Sequence, residues 1–244
     1  MASKAAPNFA NLTIDRRPNN IYVITLGREK ENKLTAPFCQ EIIRAFHSIQ
    51  REIKRGEGGA VITRGNNAKF WCTGLELDDP DPWMSCDGFY PLLATILDFP
   101  YPTVACITGH TFGGGCPLAL AHDYRVMNTS RGFLCMPPVD LGLSFPGIGT
   151  LPRLKLRPTI ARKMLLEAHR WTAEEALADD IVDATGQFEE LLPISIRIAE
   201  KWAEKGKAGV YGVLRDELYG EASKALRNIS YVHAKNISVG SAKL

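Results

Sequence analysis

The chain lacks any block of five consecutive lysine and arginine residues, and its 29 basic and 27 acidic residues leave a formal net charge of only +2. Binding to phosphate backbones needs clustered positive charge, so the sequence argues against a general polyanion binder. None of the six cysteines stands in a Cys-x-x-Cys pair. That disfavours a zinc cluster, a dithiol redox motif and a disulfide framework, and predicts reduced thiols with no metal site. Every apolar run is broken by glycine, proline or charge before it reaches membrane-spanning length, and Met1 to Pro18 holds no signal-peptide core. A soluble protein made in the cytosol is expected. Gly-x-Gly-x-x-Gly spacing is absent around Gly109–Cys116, and Gly115-Cys116 stands where a phosphate loop needs Lys and Ser/Thr. The segment Gly142-Leu143-Ser144-Phe145-Pro146 also lacks the closing glycine of a nucleophile elbow, which makes Ser144 a loop hydroxyl.

What is present suits one enzyme-sized unit: 244 residues, 45% hydrophobic and 23% charged, enough to bury a sizeable core. Ile21 to Leu26 reads as a strand, and Thr35 to Arg55 changes to helical spacing with Phe38, Ile42, Phe46, Ile49 and Ile53 on one stripe. Gly59–Thr63, Thr103–Thr108 and Tyr124–Met127 predict further strands, with a short buried helix over Leu118–Ala121 between the last two. Thr172-x-x-Glu175 is a capping box that opens another helix. From Phe188 onward the pattern is helical only, over Leu191–Glu204 and Val210–Leu226. These units predict an α/β layered core with a helical tail.

Two glycine turns carry the chemistry. Gly109-His110-Thr111-Phe112-Gly113-Gly114-Gly115-Cys116 follows a strand and opens a helix, where free backbone N–H groups can face a ligand oxygen. The same glycines also fit tight helix–strand packing with no ligand. Phe70-Trp71-Cys72-Thr73-Gly74-Leu75 is the second turn. Together they could form a two-donor hole for a thioester enolate or a tetrahedral oxyanion. His110 reads as a turn or pocket-wall residue, His122 as structural, and Cys116 and Cys135 as packing thiols. The acidic, proline-broken segment Glu76–Pro82 reads as a loop.

Ile107-Thr108-Gly109-His110 through Gly115-Cys116, then Asp123-Tyr124-Arg125, the segment to Asp140-Leu141-Gly142-Leu143, Trp171 to Ala176 and Ile181-Val182-Asp183 resemble, in order, the successive blocks of the enoyl-CoA hydratase/isomerase (crotonase) superfamily. Arg131 to Met136 and Val210-Tyr211-Gly212 are similar in particular to plant-type peroxisomal Δ3,Δ2-enoyl-CoA isomerases. The resemblance implies a crotonase-like spiral of ββα units over residues 1–187, and a helical C-terminal subdomain over 188–244 that serves oligomerisation into a trimer or a dimer of trimers. It implies an acyl-CoA or enoyl-CoA ligand, with the CoA part of the substrate and no separate cofactor. It assigns the oxyanion donors to the N–H groups of Leu75 and Gly114.

The family's acid positions fall on Pro117, Pro138 and Pro146, and a proline can neither donate nor accept a transferred proton. Plant-type isomerases resemble this chain in lacking the first and third acids, while their single glutamate aligns with Pro138. Asp140, or an acid of the Glu76 loop with Asp78, Asp79 and Asp81, is the candidate substitute. The expected reaction is double-bond isomerisation of an enoyl-CoA through an oxyanion-stabilised enolate. The alternatives are a catalytically degenerate acyl-CoA binder, and a pathway-specific isomerase or lyase acting on another CoA ester. Ala242-Lys243-Leu244 matches the small-basic-Leu form of a peroxisomal address read by an import receptor, so the expected location is the peroxisome.

Overall fold

The computed structural model describes residues 8–77 and 84–240, without the side chains of 84–87 and 230–240. In chain order the elements are β1 (Leu12–Arg17), β2 (Ile21–Leu26), α1 (Ala36–Glu52), β3 (Ala60–Gly65), β4 (Phe70–Cys72), α2 (Met84–Leu97), β5 (Thr103–Ile107), β6 (His110–Phe112), α3 (Gly115–Ala121), β7 (Tyr124–Asn128) and β8 (Leu134–Cys135). They continue with α4 (Pro138–Leu141), α5 (Thr150–Lys155), α6 (Pro158–Leu166), α7 (Ala173–Ala178), β9 (Ala184–Gly186), α8 (Phe188–Ala203) and α9 (Val210–Gly240).

The strands form two sheets. The larger runs β1-β2-β3-β5-β7-β9, parallel throughout except for the antiparallel β1–β2 pair, and the smaller runs β4-β6-β8. Both faces of the larger sheet are covered, as the near-continuous apolar runs of its strands require. Tyr22, Ile24, Val61, Ala105, Ile107 and Met127 face a core shared with α1, α2 and α3. The alternate residues Ile21, Val23, Ile62, Val104, Cys106 and Val126 face Leu191, Ala199 and Ala203 of α8. This is the two-residue period of a strand written into a doubly covered sheet.

The predicted strands and α1 lie where the periodicity puts them, with the Thr35 side chain accepting from the Phe38 N–H. Both hydrogen bonds of the Thr172–Glu175 capping box are made. Two differences stand out. The edge strand β1 is polar and mostly exposed, so it carries no hydrophobic signal. Helix α2 contains Pro91, which masks its helical pattern. The helices expected from Phe188 onward are α8 and α9, and Leu191, Ala199 and Ala203 of α8 close the outer core of the larger sheet. Helix α9 packs instead against α2.

A buried ion pair ties α9 to the core. Arg215 Nη2 lies 3.1 Å from Asp123 Oδ1, and Asp123 Oδ2 accepts from the Thr103 N–H at 2.9 Å. Arg215 also donates to the carbonyls of Phe99 and Tyr101. Paired charges of this kind offset the cost of leaving water only when the remaining donors and acceptors are also satisfied. Among the described residues no helix is long and apolar enough to cross a membrane.

Candidate functional site

The smaller sheet is parallel, so the C-terminal ends of β4, β6 and β8 lie on one side. Each strand runs straight into a turn there: Thr73-Gly74-Leu75 after β4, Gly113-Gly114 after β6, and Met136-Pro137-Pro138 after β8. Ligand sites of parallel sheets favour these ends, where chain turns converge and backbone groups are not consumed by the ladder. A cavity of about 90 Å³ opens between the three turns. That is room for a few water-sized groups, so it suits one part of a ligand rather than a whole coenzyme.

The first two turns are pressed together. Gly74 has φ +92, and a side-chain carbon on it would stand 2.7 Å from the Gly114 nitrogen and 2.9 Å from the Phe112 oxygen. Only glycine meets both the backbone angle and the approach. Next to it, Leu34 forms a parallel bridge with Leu75: the Leu34 N–H donates to the Gly74 oxygen, and the Glu76 N–H to the Leu34 oxygen. Successive backbone groups alternate sides in an extended segment, so the Leu75 N–H points away from Leu34. Gly114 caps the N-terminus of α3, where helix N–H groups lack intrahelical acceptors. Among the described residues neither the Leu75 N–H nor the Gly114 N–H donates a hydrogen bond. The arrangement offers two main-chain donors at the edge of an apolar cavity.

The rest of the lining is apolar. Phe89 of α2, Phe112, Pro117, Pro138, Leu141, Leu143, Phe145 and Ile148 contribute, and among the described residues Thr73 is the one hydroxyl. Sequence reasoning missed Phe89, which lies in the unpredicted α2, and Ile148, which lies in a loop read for Ser144 and for the acid position at Pro146. The signal available was the apolar content of that loop. Of the three acid positions, Pro117 and Pro138 line the cavity, whereas Pro146 stands outside the lining and its carbonyl accepts from the Tyr90 hydroxyl.

The two described substitute acids do not reach the cavity. Glu76 lies between Leu75 and Leu77, both of which line it. The two-residue alternation therefore turns the carboxylate outward, where Lys33 Nζ holds it at 3.2 Å and Arg28 Nη1 at 3.5 Å. Asp140 is exposed on α4. Pro138 and Leu141 share the cavity face at i, i+3, and about 100° of rotation per residue carries Asp140 to the far side. Asp78, Asp79 and Asp81 lie outside the described residues, as do Ala242, Lys243 and Leu244.

The histidines and thiols have other duties. His110 is half-buried with its ring centroid 5.1 Å from Phe112, 5.6 Å from Phe70 and 5.8 Å from Phe133, and its Nδ1 accepts from the Phe133 N–H. Desolvation, then the Arg131 and Lys69 charges, hold its pKa below the usual imidazole value. His122 is fully buried, its Nδ1 2.9 Å from the Leu118 oxygen and its Nε2 3.0 Å from Thr63 Oγ1. Burial pushes its pKa down to about 3. Cys116 is buried with its thiol donating to the Cys135 carbonyl, and desolvation raises its pKa well above the usual thiol value. That environment makes it a packing group, since a reactive thiol needs a stabilised thiolate.

Residues 16–241 match the family model described as enoyl-CoA hydratase/isomerase. The chain is 31% identical over 229 residues to the peroxisomal enoyl-CoA delta isomerase 2 of Arabidopsis thaliana, covering 86% of this chain and 92% of that one. It is 31% identical over 193 residues to a carnitinyl-CoA dehydratase of Salmonella enteritidis, covering 76% and 72%. A solved enoyl-CoA hydratase from Mycobacterium marinum superposes with a TM-score of 0.81 at 23% identity, covering 91% of this chain and 96% of the other. At that identity the superposition speaks for the shared fold.

Proposed function

The chain belongs to the enoyl-CoA hydratase/isomerase family, and from that premise we propose that it binds an enoyl-CoA or related acyl-CoA and shifts the acyl double bond. The observation that supports this reading is the contact between the two glycine turns, beside which Leu75 and Gly114 both line the cavity. A thioester oxygen held by both donors gains negative charge as an α-proton leaves, and donors fixed in advance lower the barrier to that enolate. A base must carry that proton to another carbon to complete the isomerisation, and of the candidate acids Asp78, Asp79 and Asp81, outside the described residues, are left for that role. Hydration is the weaker reading, because it resembles members with two glutamates and both positions are proline here.

One observation favours a second reading, ligand binding without turnover. Among the described residues, none that lines the cavity has an ionisable side chain, and enolisation needs a base within hydrogen-bond reach of the substrate. Purified protein mixed with a 3-enoyl-CoA separates the two. Growth of conjugated-thioester absorbance supports isomerisation, while calorimetric binding with no absorbance change supports the binder. Peroxisomal location belongs to the same proposal, on the strength of the Arabidopsis relative's name; a fluorescent fusion that stays cytosolic with residues 242–244 intact and exposed at its terminus would contradict it. Assembly into a trimer or hexamer is proposed with it, supported by the apolar side chains Val213, Leu214 and Leu218 that α9 exposes. A monomeric mass by light scattering would remove that part.

A further inference from the structure

Thr73, the one hydroxyl of the cavity lining among the described residues, is tied to a carboxylate that the lining itself does not contain. Its Oγ1 donates to Glu31 Oε2 at 3.2 Å, and its N–H donates to the Glu31 carbonyl at 3.1 Å. Glu31 belongs to the turn between β2 and α1, forty-two residues from Thr73. That turn is held in place on both sides of the contact: the buried Asn32 donates from Nδ2 to the Trp71 carbonyl, and the Leu34 N–H donates to the Gly74 oxygen. Glu31 and Thr73 are both half-buried. Among the described residues no cation is paired with Glu31, while Arg28 is engaged by Glu29 and Glu76, and Lys33 by Glu76. A hydroxyl has a single hydrogen, and Thr73 gives it to Glu31. What Oγ1 can offer a ligand is therefore its lone pairs, an acceptor backed by a carboxylate.

We propose that Thr73 is the group that moves the substrate proton, with Glu31 acting through it as the proton acceptor. This rests on the isomerase reading above and supplies its base, without any acid of the segment 78–81. Thr73 and Leu75 are two residues apart and line the same cavity, so an oxygen held by the Leu75 N–H has its neighbouring α-carbon beside the hydroxyl. A hydroxyl is a weak base alone and becomes an effective one when a carboxylate takes its proton in the same motion. Oγ1 accepts the α-proton while its own proton passes to Glu31 Oε2. The electron pair of the broken C–H bond enters the enolate, and its charge rests on the thioester oxygen. Glu31 then returns its proton to Oγ1 as Oγ1 protonates the γ-carbon. The carbonyl re-forms, the double bond ends in conjugation with it, and Glu31 is again a carboxylate.

Conjugated-thioester absorbance with 3-hexenoyl-CoA, together with calorimetric binding of butanoyl-CoA, tests the proposal in the full chain. Thr73→Val keeps the side chain's shape without its hydroxyl and should lower kcat by roughly 10²–10⁴. KM and butanoyl-CoA affinity should change little, the signature of a group used only in the transition state. Thr73→Ser keeps the relay and should recover most of that loss. Glu31→Gln still offers the hydroxyl an acceptor oxygen but cannot take its proton, so kcat should fall by a similar factor. Its residual rate should also lose the decline toward acid pH that a carboxylate base gives the wild type. A Thr73→Val protein that loses binding and turnover together, or a Glu31→Gln protein whose acid limb is unchanged, would assign the pair a structural role and overturn the proposal. Wild-type turnover that survives in both variants overturns it too and leaves the isomerase reading intact, with the base in the segment 78–81. Release of free CoA thiol would show Oγ1 attacking the thioester carbon and overturns the relay. Butanoyl-CoA binding with no turnover in the wild type would remove the isomerase reading, and this inference with it.

Discussion

A side-chain carbon on Gly74 would lie 2.7 Å from the backbone nitrogen of Gly114, forty residues away in sequence. Leu75 and Gly114, beside that approach, line the same cavity, which defines the first test of the proposed donors. Gly114 has φ −59, close to the angle proline imposes, so Gly114→Pro removes the donor while fitting the local backbone. Isomerase turnover should drop by roughly 10²–10³, as for loss of one oxyanion donor. Leu75→Ala keeps its N–H and should cost far less. Gly74→Ala should lower ligand affinity and stability together, by at least about 1 kcal/mol, because φ +92 and the contact both oppose a side chain. Equal losses in Gly114→Pro and Leu75→Ala, with both folded, would show recognition by side chains instead.

The second test concerns the missing acid. Pro138 lines the cavity while Asp140 faces solvent and Glu76 is engaged by Lys33 and Arg28. Pro138→Glu should place a carboxylate beside the acyl group and raise turnover of a 3-enoyl-CoA by up to ~10²–10⁴-fold. Asp140→Asn and Glu76→Gln should each change the wild-type rate by less than about threefold, a bound well below the effect of removing a general base. A severe loss in Asp140→Asn would mean that the segment 138–142 rearranges when ligand binds.

Acid stability should report His122. Its folded pKa, about 3, lies below the ordinary value of 6.5, because burial disfavours the charged ring. The unfolded chain therefore binds a proton that the folded chain refuses between those values. The stability associated with the neutral ring is fully present above pH 6.5 and is lost as pH falls toward 3, at up to about 1.4 kcal/mol per pH unit. Denaturant titrations at several pH values should show a shallower slope in His122→Gln. An unchanged slope would assign the acid loss to other groups.

Arg215 gives the fourth test. Removing it in Arg215→Met leaves Asp123 buried without its cation, although the two Thr103 hydrogen bonds remain. Breaking one side of a buried pair costs about 3–5 kcal/mol. Hydrogen exchange should quicken in α9 ahead of the sheet, since Arg215 is the residue that donates from α9 to the Phe99 and Tyr101 carbonyls. Uniform acceleration throughout the chain would indicate that α9 and the core unfold as one unit.

The sequence by itself determined the elements whose residues repeat with a period. Ile21–Leu26 alternates between two buried faces, and the stripe from Phe38 to Ile53 lies along α1 and its C-cap. The Thr172–Glu175 box needs only contacts three residues apart. It also contained the two glycine turns and the prolines at 117 and 138, because these are properties of single positions. Tertiary structure alone decided which groups meet. Whether Glu76 faces the cavity depends on the register of the Leu34–Leu75 bridge, and whether Asp140 does depends on which side of one helical turn Pro138 presents. Phe89 enters the lining from α2, and Leu143, Phe145 and Ile148 enter it from the loop after α4. Distances between segments far apart in the chain are fixed by packing, and packing leaves no local period for a sequence to show.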